Sequence, residues 1–235
     1  MRATALTGLS EHGCRIATAS LCLMLAGGCA ELQKATAPNP PVFYALDRVR
    51  RAAPVPPAVG RPTVSTAPTL IVSAPRAAAG FDSPHIIYLR QPHKLEHFAH
   101  SEWMDTPARM LSPLLVAALE NSGAFRAVVH APTSASGELR LDTEVLQLQH
   151  EFEGQPSRVR FVLRANLVED ATRRVIATRA FEAVATAASE DPYGGVIAAN
   201  QAVQTVLEQL ATFCAETAAG WRPKESPNER SRLRT

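Results

Sequence analysis

The sequence predicts an α+β fold: a two-layer sandwich in which a mostly antiparallel sheet carries two amphipathic helices packed on one face. Three observations predict it. Long stretches alternate apolar and polar residues, two segments place apolar residues at helical spacing, and their order is strands, helix, a meander of strands, helix. The 235 residues suit one domain plus tails, and a hydrophobic content of 46% supplies a core. Aromatic residues make up only 6%, so Leu, Val, Ile and Ala must build that core.

The domain is expected at 43–220. Its first candidate strand, Phe43-Tyr44-Ala45-Leu46, is followed at 47–68 by a stretch with Pro54, Pro56, Pro57, Pro62 and Pro68, which reads as an extended polyproline-like loop. Leu70-Ile71-Val72 is a strand stopped by Pro75. Ile86–Leu89 is a second and Leu95–Ala99 a third, with Gln91-Pro92-His93 as the turn of a hairpin. A helix follows. Thr106 stands at the capping position and Pro107 at the first helical position; Met110, Leu111, Leu114, Leu115, Ala118 and Leu119 recur at helical spacing, and Gly123 stops it. Pro113 removes one backbone hydrogen bond and predicts a bend. Phe125–Val129 is a short strand.

Leu139–Val145 alternates, slips one place at Leu146, and resumes with Leu148 and Phe152, which predicts a β-bulge. After a turn at 154–157, Val159, Phe161, Leu163, Ala165 and Leu167 alternate with Arg158, Arg160, Arg164 and Asn166. A turn at 169–172 leads to a strand at Val175–Val184. The last element is a helix capped by Asp191 with Pro192 in the first position. Val196, Ala199, Val203, Val206, Leu207, Leu210, Phe213 and Cys214 form its stripe and Gly220 ends it. Residues 221–235 are polar and basic, and are expected to be disordered.

The N-terminus carries Arg2 and Arg15, then an apolar run from Ile16 to Ala26, too short to span a bilayer but suited to a signal peptide. Leu25-Ala26-Gly27-Gly28-Cys29 resembles a bacterial lipobox, with the large aliphatic residue one place further back than usual. Residues 1–28 are thus expected to be removed, Cys29 to be lipidated, and 29–42 to form the lipidated end and its tether. Ala30 after the cysteine favours the outer membrane over the inner by resemblance to the known sorting rule. Cys14 and Cys22 would leave with the signal, so Cys214 would have no disulfide partner and reads as a small buried hydrophobe.

Several chemistries lack their residues. There is no G-x-x-x-x-G-K-[ST], no strand-linked G-x-G-x-x-G and no G-x-S-x-G, so no enzyme is expected. Gly194-Gly195 lies near a helix N-terminus, where an anion can bind, but apolar residues follow and no lysine does. A net charge of +2 without a basic, aromatic-interleaved run argues against nucleic acid. His85, His93, His97 and His100 cluster in sequence; a hairpin there favours solvated loop histidines over a zinc site, so no metal and no cofactor is expected. Asp142 and Glu144 on one strand and Arg158, Arg160 and Arg164 on the next would form cross-strand charge pairs if the strands pair. That row is either a solvated sheet face or a docking surface for a partner protein. The tail residues Arg222, Lys224, Arg230, Arg232 and Arg234 are a candidate contact for anionic lipid or peptidoglycan. Trp103 and Trp221 are candidate interface anchors, with buried packing at least as good an account of Trp103.

Over roughly residues 21–219 the chain resembles the ABC-type transport auxiliary lipoproteins, which include paraquat-inducible protein C. The likeness rests on the order of its features. The lipobox precedes the aromatic strand Phe43–Leu46. Leu70-Ile71-Val72 precedes the pair around Ile86–Leu89. Trp103, Pro107, Leu111, Leu115, Leu119, Gly123, Phe125 and Val128 precede the meander and the last helix. The resemblance implies an accessory to a transporter with an ABC permease and ATPase and a mammalian-cell-entry (MCE) type substrate-binding protein, moving phospholipid or other hydrophobic molecules between membranes. It also makes a homo-oligomer plausible. The rivals are an envelope scaffold that activates peptidoglycan synthesis, and a periplasmic enzyme or metal-binding protein supported only by the histidines.

Overall fold

A computed structural model describes residues 40–47 and 67–222. The expected signal peptide, Cys29, the tether up to residue 39, the Pro-rich stretch from 48 to 66 and the tail from 223 lie outside the described residues. The elements are β1 (Val42–Tyr44), β2 (Thr69–Val72), β3 (Arg76–Ala77), β4 (His85–Leu89), β5 (Leu95–Trp103), α1 (Pro107–Ser122), β6 (Ala127–His130), β7 (Leu139–Glu151), β8 (Arg158–Glu169), β9 (Arg174–Thr186) and α2 (Pro192–Gly220).

All nine strands belong to one sheet, and β7 is its spine. Along one edge β7 pairs with β8 from Leu139↔Glu169 to Glu151↔Arg158, antiparallel. Its other edge receives three short strands in turn, all parallel: β2 against Leu139–Leu141, β3 against Glu144 and Val145, and β4 against Gln149–Glu151. Beyond them lie β6 next to β2, β5 next to β4, β1 next to β5, and β9 next to β8.

The sheet is therefore mixed, which corrects the mostly antiparallel sheet expected from the sequence. The pairs β1–β5, β2–β6, β2–β7, β3–β7 and β4–β7 are parallel; only β4–β5, β7–β8 and β8–β9 are antiparallel. The reason is physical. Tight turns impose antiparallel pairing on consecutive strands, and those three hairpins were legible. Alternation says which face a residue occupies, not which distant strand lies alongside. One signal was present: Thr69-Leu70-Ile71-Val72 is buried at all four positions, as in a parallel strand covered on both faces. Ile71 is covered by the loop at Gly137, where a Cβ would lie 2.7 Å from the isoleucine Cγ1.

The bulge falls where the alternation slips. The register runs Val145↔Leu163, Gln147↔Val162, Leu148↔Phe161, leaving Leu146 as the extra residue. The buried row thereby passes from Leu139, Leu141, Thr143 and Val145 to Leu148 and His150.

Helix α1 runs through Pro113 without a break and ends at Gly123 in the left-handed conformation (φ 65°), whose N–H donates to the Glu120 carbonyl. Thr106 occupies the capping position but contributes no side-chain cap. Asp191 does cap α2: its Oδ1 accepts from the Gly194 N–H at 2.7 Å. Helix α2 lies against β8 and β9 and touches α1. Its stripe of Val196, Ala199, Val203, Val206, Leu207, Leu210 and Cys214 shares one hydrophobic cluster with Phe161 and Leu163 of β8 and Phe181 of β9.

The chain just after β1 is clipped to both helices. Leu46 is buried in the same cluster, and its N–H points at the Met110 sulfur, 3.5 Å away. Asn200 of α2 accepts from the Asp47 N–H at 2.9 Å and donates to the Ala45 carbonyl at 3.3 Å.

Removing the bulge residue keeps every side chain on its face, whereas removing a residue from the unbulged partner turns half a strand over. The Leu146 deletion is expected to retain a cooperative urea transition, weakened by about 1–3 kcal/mol. Deletion of Val162 is expected to abolish the transition.

Candidate functional site

The candidate docking face is the outward row of β8. Hairpin turns align β7, β8 and β9, and strand alternation turns Arg158, Arg160 and Arg164 away from the core. Arg164 stands opposite Glu144 and its Nη1 is 3.2 Å from Oε2. Arg160 Nε donates to Glu151 Oε1 at 2.7 Å, and its Nη1 also contacts Glu182 of β9. Gln149 donates to the same Glu151 oxygen at 2.9 Å. Burial by itself would raise the Glu151 pKa. The Arg160 and Gln149 hydrogen bonds and the Arg160 and Arg158 charges outweigh it and hold the carboxyl below its ordinary value. Arg158 lies opposite Glu151 in register but makes no ion pair among the described residues. Asp142 lies opposite Asn166 and not an arginine. The expected cross-strand pairing thus holds for Glu144–Arg164; Arg160 instead bridges two acids that sequence reading did not select. The face is ion-paired, and Arg158, whose charge acts on Glu151, is the one of the three arginines without an ion pair among the described residues.

A second site was not selected from sequence. His150, 2% exposed, points inward between β7 and the start of α2. Its Nε2 is 2.8 Å from Ser157 Oγ, and its buried Nδ1 has no partner among the described residues. Ser157 is held in turn by its N–H donating to Glu190 Oε1 at 2.8 Å. Gly195 faces the ring so closely that a Cβ there would lie 2.5 Å from Nδ1, and a Cβ at Gly194 would lie 2.3 Å from the Ser189 carbonyl oxygen. Gly195 thus permits close approach of the helix to the sheet, and Gly194 lets the preceding segment at Ser189 fold against the first turn of α2. Beside them is a void of about 10 Å³, room for about one water and far too small for a lipid chain. Burial pushes the His150 pKa down, against the opposing charges of Glu190 and Asp191. The signal for this site was its phase: His150 falls between Leu148 and Phe152 in the row set by the bulge.

The other histidines do not converge. His93 sits in the hairpin turn with φ 68°, and His97 and His100 lie on β5. The rings that meet are His85 and His97, stacked at 4.4 Å with 19° between planes, and His85 Nδ1 lies 3.7 Å from Glu102 Oε1. Stacked rings hold their nitrogen lone pairs side by side, not aimed at one ion. Among the described residues no group of three or more His, Cys, Asp or Glu is arranged to hold a metal. An open groove of about 440 Å³ between α1 and β6 contains Ser112 and His130, with Oγ and Nε2 2.5 Å apart. Among the described residues the His130 ring has Ser112 as its hydrogen-bond partner and no carboxylate, so the third member of a nucleophilic triad is not assembled there. Cys214 is buried, and burial pushes its thiol up to about 12, as suits an inert core residue. Trp103 is buried as well. No described helix is long and apolar enough to cross a membrane.

A family model described as the ABC-type transport auxiliary lipoprotein component matches residues 52–211. The chain belongs to that family. A crystal structure of a Xanthomonas campestris protein assigned to family DUF330 is similar at 27% identity, with a TM-score of 0.64, covering 76% of this chain and 97% of that one. A crystal structure of an uncharacterized protein shares the fold at 14% identity and TM-score 0.55, covering 76% and 98%. A Neisseria meningitidis lipoprotein aligns more loosely, at 12% identity and TM-score 0.35 over 61% and 98%. No curated protein matches the chain. As a member of this family the auxiliary lipoprotein is a lipid-anchored protein of the cell envelope, associated with an ABC transporter.

The two paired arginines of this auxiliary lipoprotein differ in burial, and their substitutions should differ accordingly. Arg160→Met leaves Glu151, 12% exposed, without its main partner and is expected to cost about 1–3 kcal/mol by urea denaturation. Arg164→Met breaks a more exposed pair and is expected to cost under about 1 kcal/mol.

His150 makes stability depend on pH. Its pKa is lower folded than unfolded, so below about 6.5 the unfolded chain takes a proton that the folded one refuses. Stability is complete above that value and falls as pH drops through and below it. Comparing urea midpoints at pH 8 and pH 5, His150→Gln is expected to lose less stability on acidification than the parent.

Proposed function

We propose that this auxiliary lipoprotein is a non-enzymatic docking component of an ABC transporter of the MCE type, lipidated at Cys29 and held at the periplasmic face of the outer membrane. The transporter would move phospholipid or another hydrophobic molecule across the envelope. The family match carries the reading, and the fold supports it. Thirteen residues separate Cys29 from Val42, and a chain of that length reaches at most about 45 Å, so a domain anchored at Cys29 would stay near its membrane. From there it would meet the periplasmic MCE protein of a permease–ATPase complex, as single copies or as several copies around one partner.

The contact surface we propose is the outward row of β8: Arg158, Arg160 and Arg164. Arg160 and Arg164 are tied to acids, while Arg158, with no ion pair among the described residues, can meet a partner carboxylate without breaking one.

The test is crosslinking of C-terminally tagged protein in intact cells, followed by affinity capture and mass spectrometry. The expected result is recovery of an MCE-type protein, reduced several-fold by Arg158→Glu at unchanged protein level. Cys29→Ser is expected to move the protein from the membrane to the soluble fraction. Recovery of a peptidoglycan synthase with no transporter subunit would overturn the transport reading and leave the anchor intact.

A further inference from the structure

Exposed apolar side chains are not spread evenly over this domain. Seven large hydrophobic residues are exposed among the described residues, and four of them, Val42, Phe43, Met104 and Tyr193, gather around β1. Val42 and Tyr44 project from one side of the strand and Phe43 from the other. Met104 is tied to Tyr44 by its N–H donating to the Tyr44 carbonyl at 2.7 Å. Tyr193, in the first turn of α2, places its ring 6.4 Å from that of Tyr44. The exposures are 51% for Val42, 55% for Phe43, 70% for Met104 and 58% for Tyr193, a clustering that marks a contact surface.

We propose that this β1 edge rests in the head-group region of the bilayer that holds the lipid anchor. The inference depends on lipidation at Cys29. Three features point to lipid. First, Val42 follows Cys29 by thirteen residues, so the patch holds the described strand nearest in sequence to the expected anchor. Second, β1 is only three residues long and is preceded by Pro40-Pro41. A short, proline-blunted edge is a poor template for adding a strand from a second copy or a partner, which leaves side-chain contact. Third, one Phe, one Met and two Tyr around a polar backbone edge have the amphipathic chemistry of a membrane interface. Glu102 lies opposite Phe43, and Asp105, next to Met104, is paired with Arg109, so the described patch presents no unpaired cation to anionic head groups. The contact is apolar and should persist in zwitterionic lipid and in high salt. The clip of Asn200 onto Ala45 and Asp47 holds the edge at a fixed attitude to the two helices.

The test uses the mature lipidated protein in phosphatidylcholine vesicles, with and without brominated acyl chains. Tryptophan emission is compared between the parent, the Phe43→Trp variant and a Val184→Trp variant, Val184 being an exposed residue of β9. The added emission of Phe43→Trp is expected to be blue-shifted on vesicles and quenched by bromine at least about twofold more than that of Val184→Trp. Equal quenching of the two variants in a protein that is acylated and vesicle-bound would overturn this inference alone. A blue shift already present without vesicles would assign the cover to a second copy or to another part of the chain, and would also overturn it. Absence of an acyl group by mass spectrometry would remove both the anchor reading and this inference.

Discussion

Strand β7 must satisfy two edges at once, and the rest of the domain follows from how it does so. A thirteen-residue strand exposes a long row of backbone donors and acceptors on each side. One edge is met by a single strand of nearly equal length, β8, through a hairpin whose turn sets the register. The other edge is met piecewise by β2, β3 and β4, each too short to cover it. The chain therefore returns three times to the same strand before β7 itself has appeared in the sequence. Contacts of that kind are non-local, and their closure entropy must be offset by burial. The offset is visible at β7 and β8, where Leu139, Leu141, Val145, Phe161, Leu163, Ala165 and Leu167 are all fully buried.

The same strand pair has two chemically distinct faces. Inward, it offers aliphatic and aromatic side chains to α2. Outward, it carries acids on β7 and arginines on β8 that neutralise one another, so charge can line a sheet face without repulsion. The bulge at Leu146 joins the two halves of β7, letting the inward row change parity and bringing His150 beneath Gly195 at the start of α2. Stability below neutral pH is thereby linked to the helix–sheet junction, and the ion-paired face is linked to the geometry of the long hairpin. In this envelope lipoprotein β7, β8 and β9 form one continuous platform, and the segment just after β1 is fastened to both helices at Leu46 and Asn200.

Much of this was legible before any coordinates. Two-residue periodicity located β7, β8 and β9 and the slip at Leu146, because each residue's face follows from its own position in the strand. Asp191-Pro192 and Gly123 marked helix boundaries, because orphan backbone groups at helix ends select their partners locally. The pairing of Glu144 with Arg164 followed once the hairpin turn set the register. The stretch Leu25–Cys29 pointed to a lipoprotein, and the family match agrees with that class.

What the sequence by itself determined was decided within a few residues: the type of the longer elements, inward or outward facing, the Asp191 cap, the bulge and the antiparallel hairpins. Only tertiary structure decided the parallel placement of β2, β3 and β4 on β7, because no local rule says which distant edge a short strand will meet. It alone showed that Arg160 is shared between Glu151 and Glu182, that His85 stacks on His97, that Gly195 lies against His150, and that the exposed Val42, Phe43, Met104 and Tyr193 gather around the β1 edge. These contacts cross from one element to another, and their proximity is a property of the assembled sheet and helices rather than of any segment.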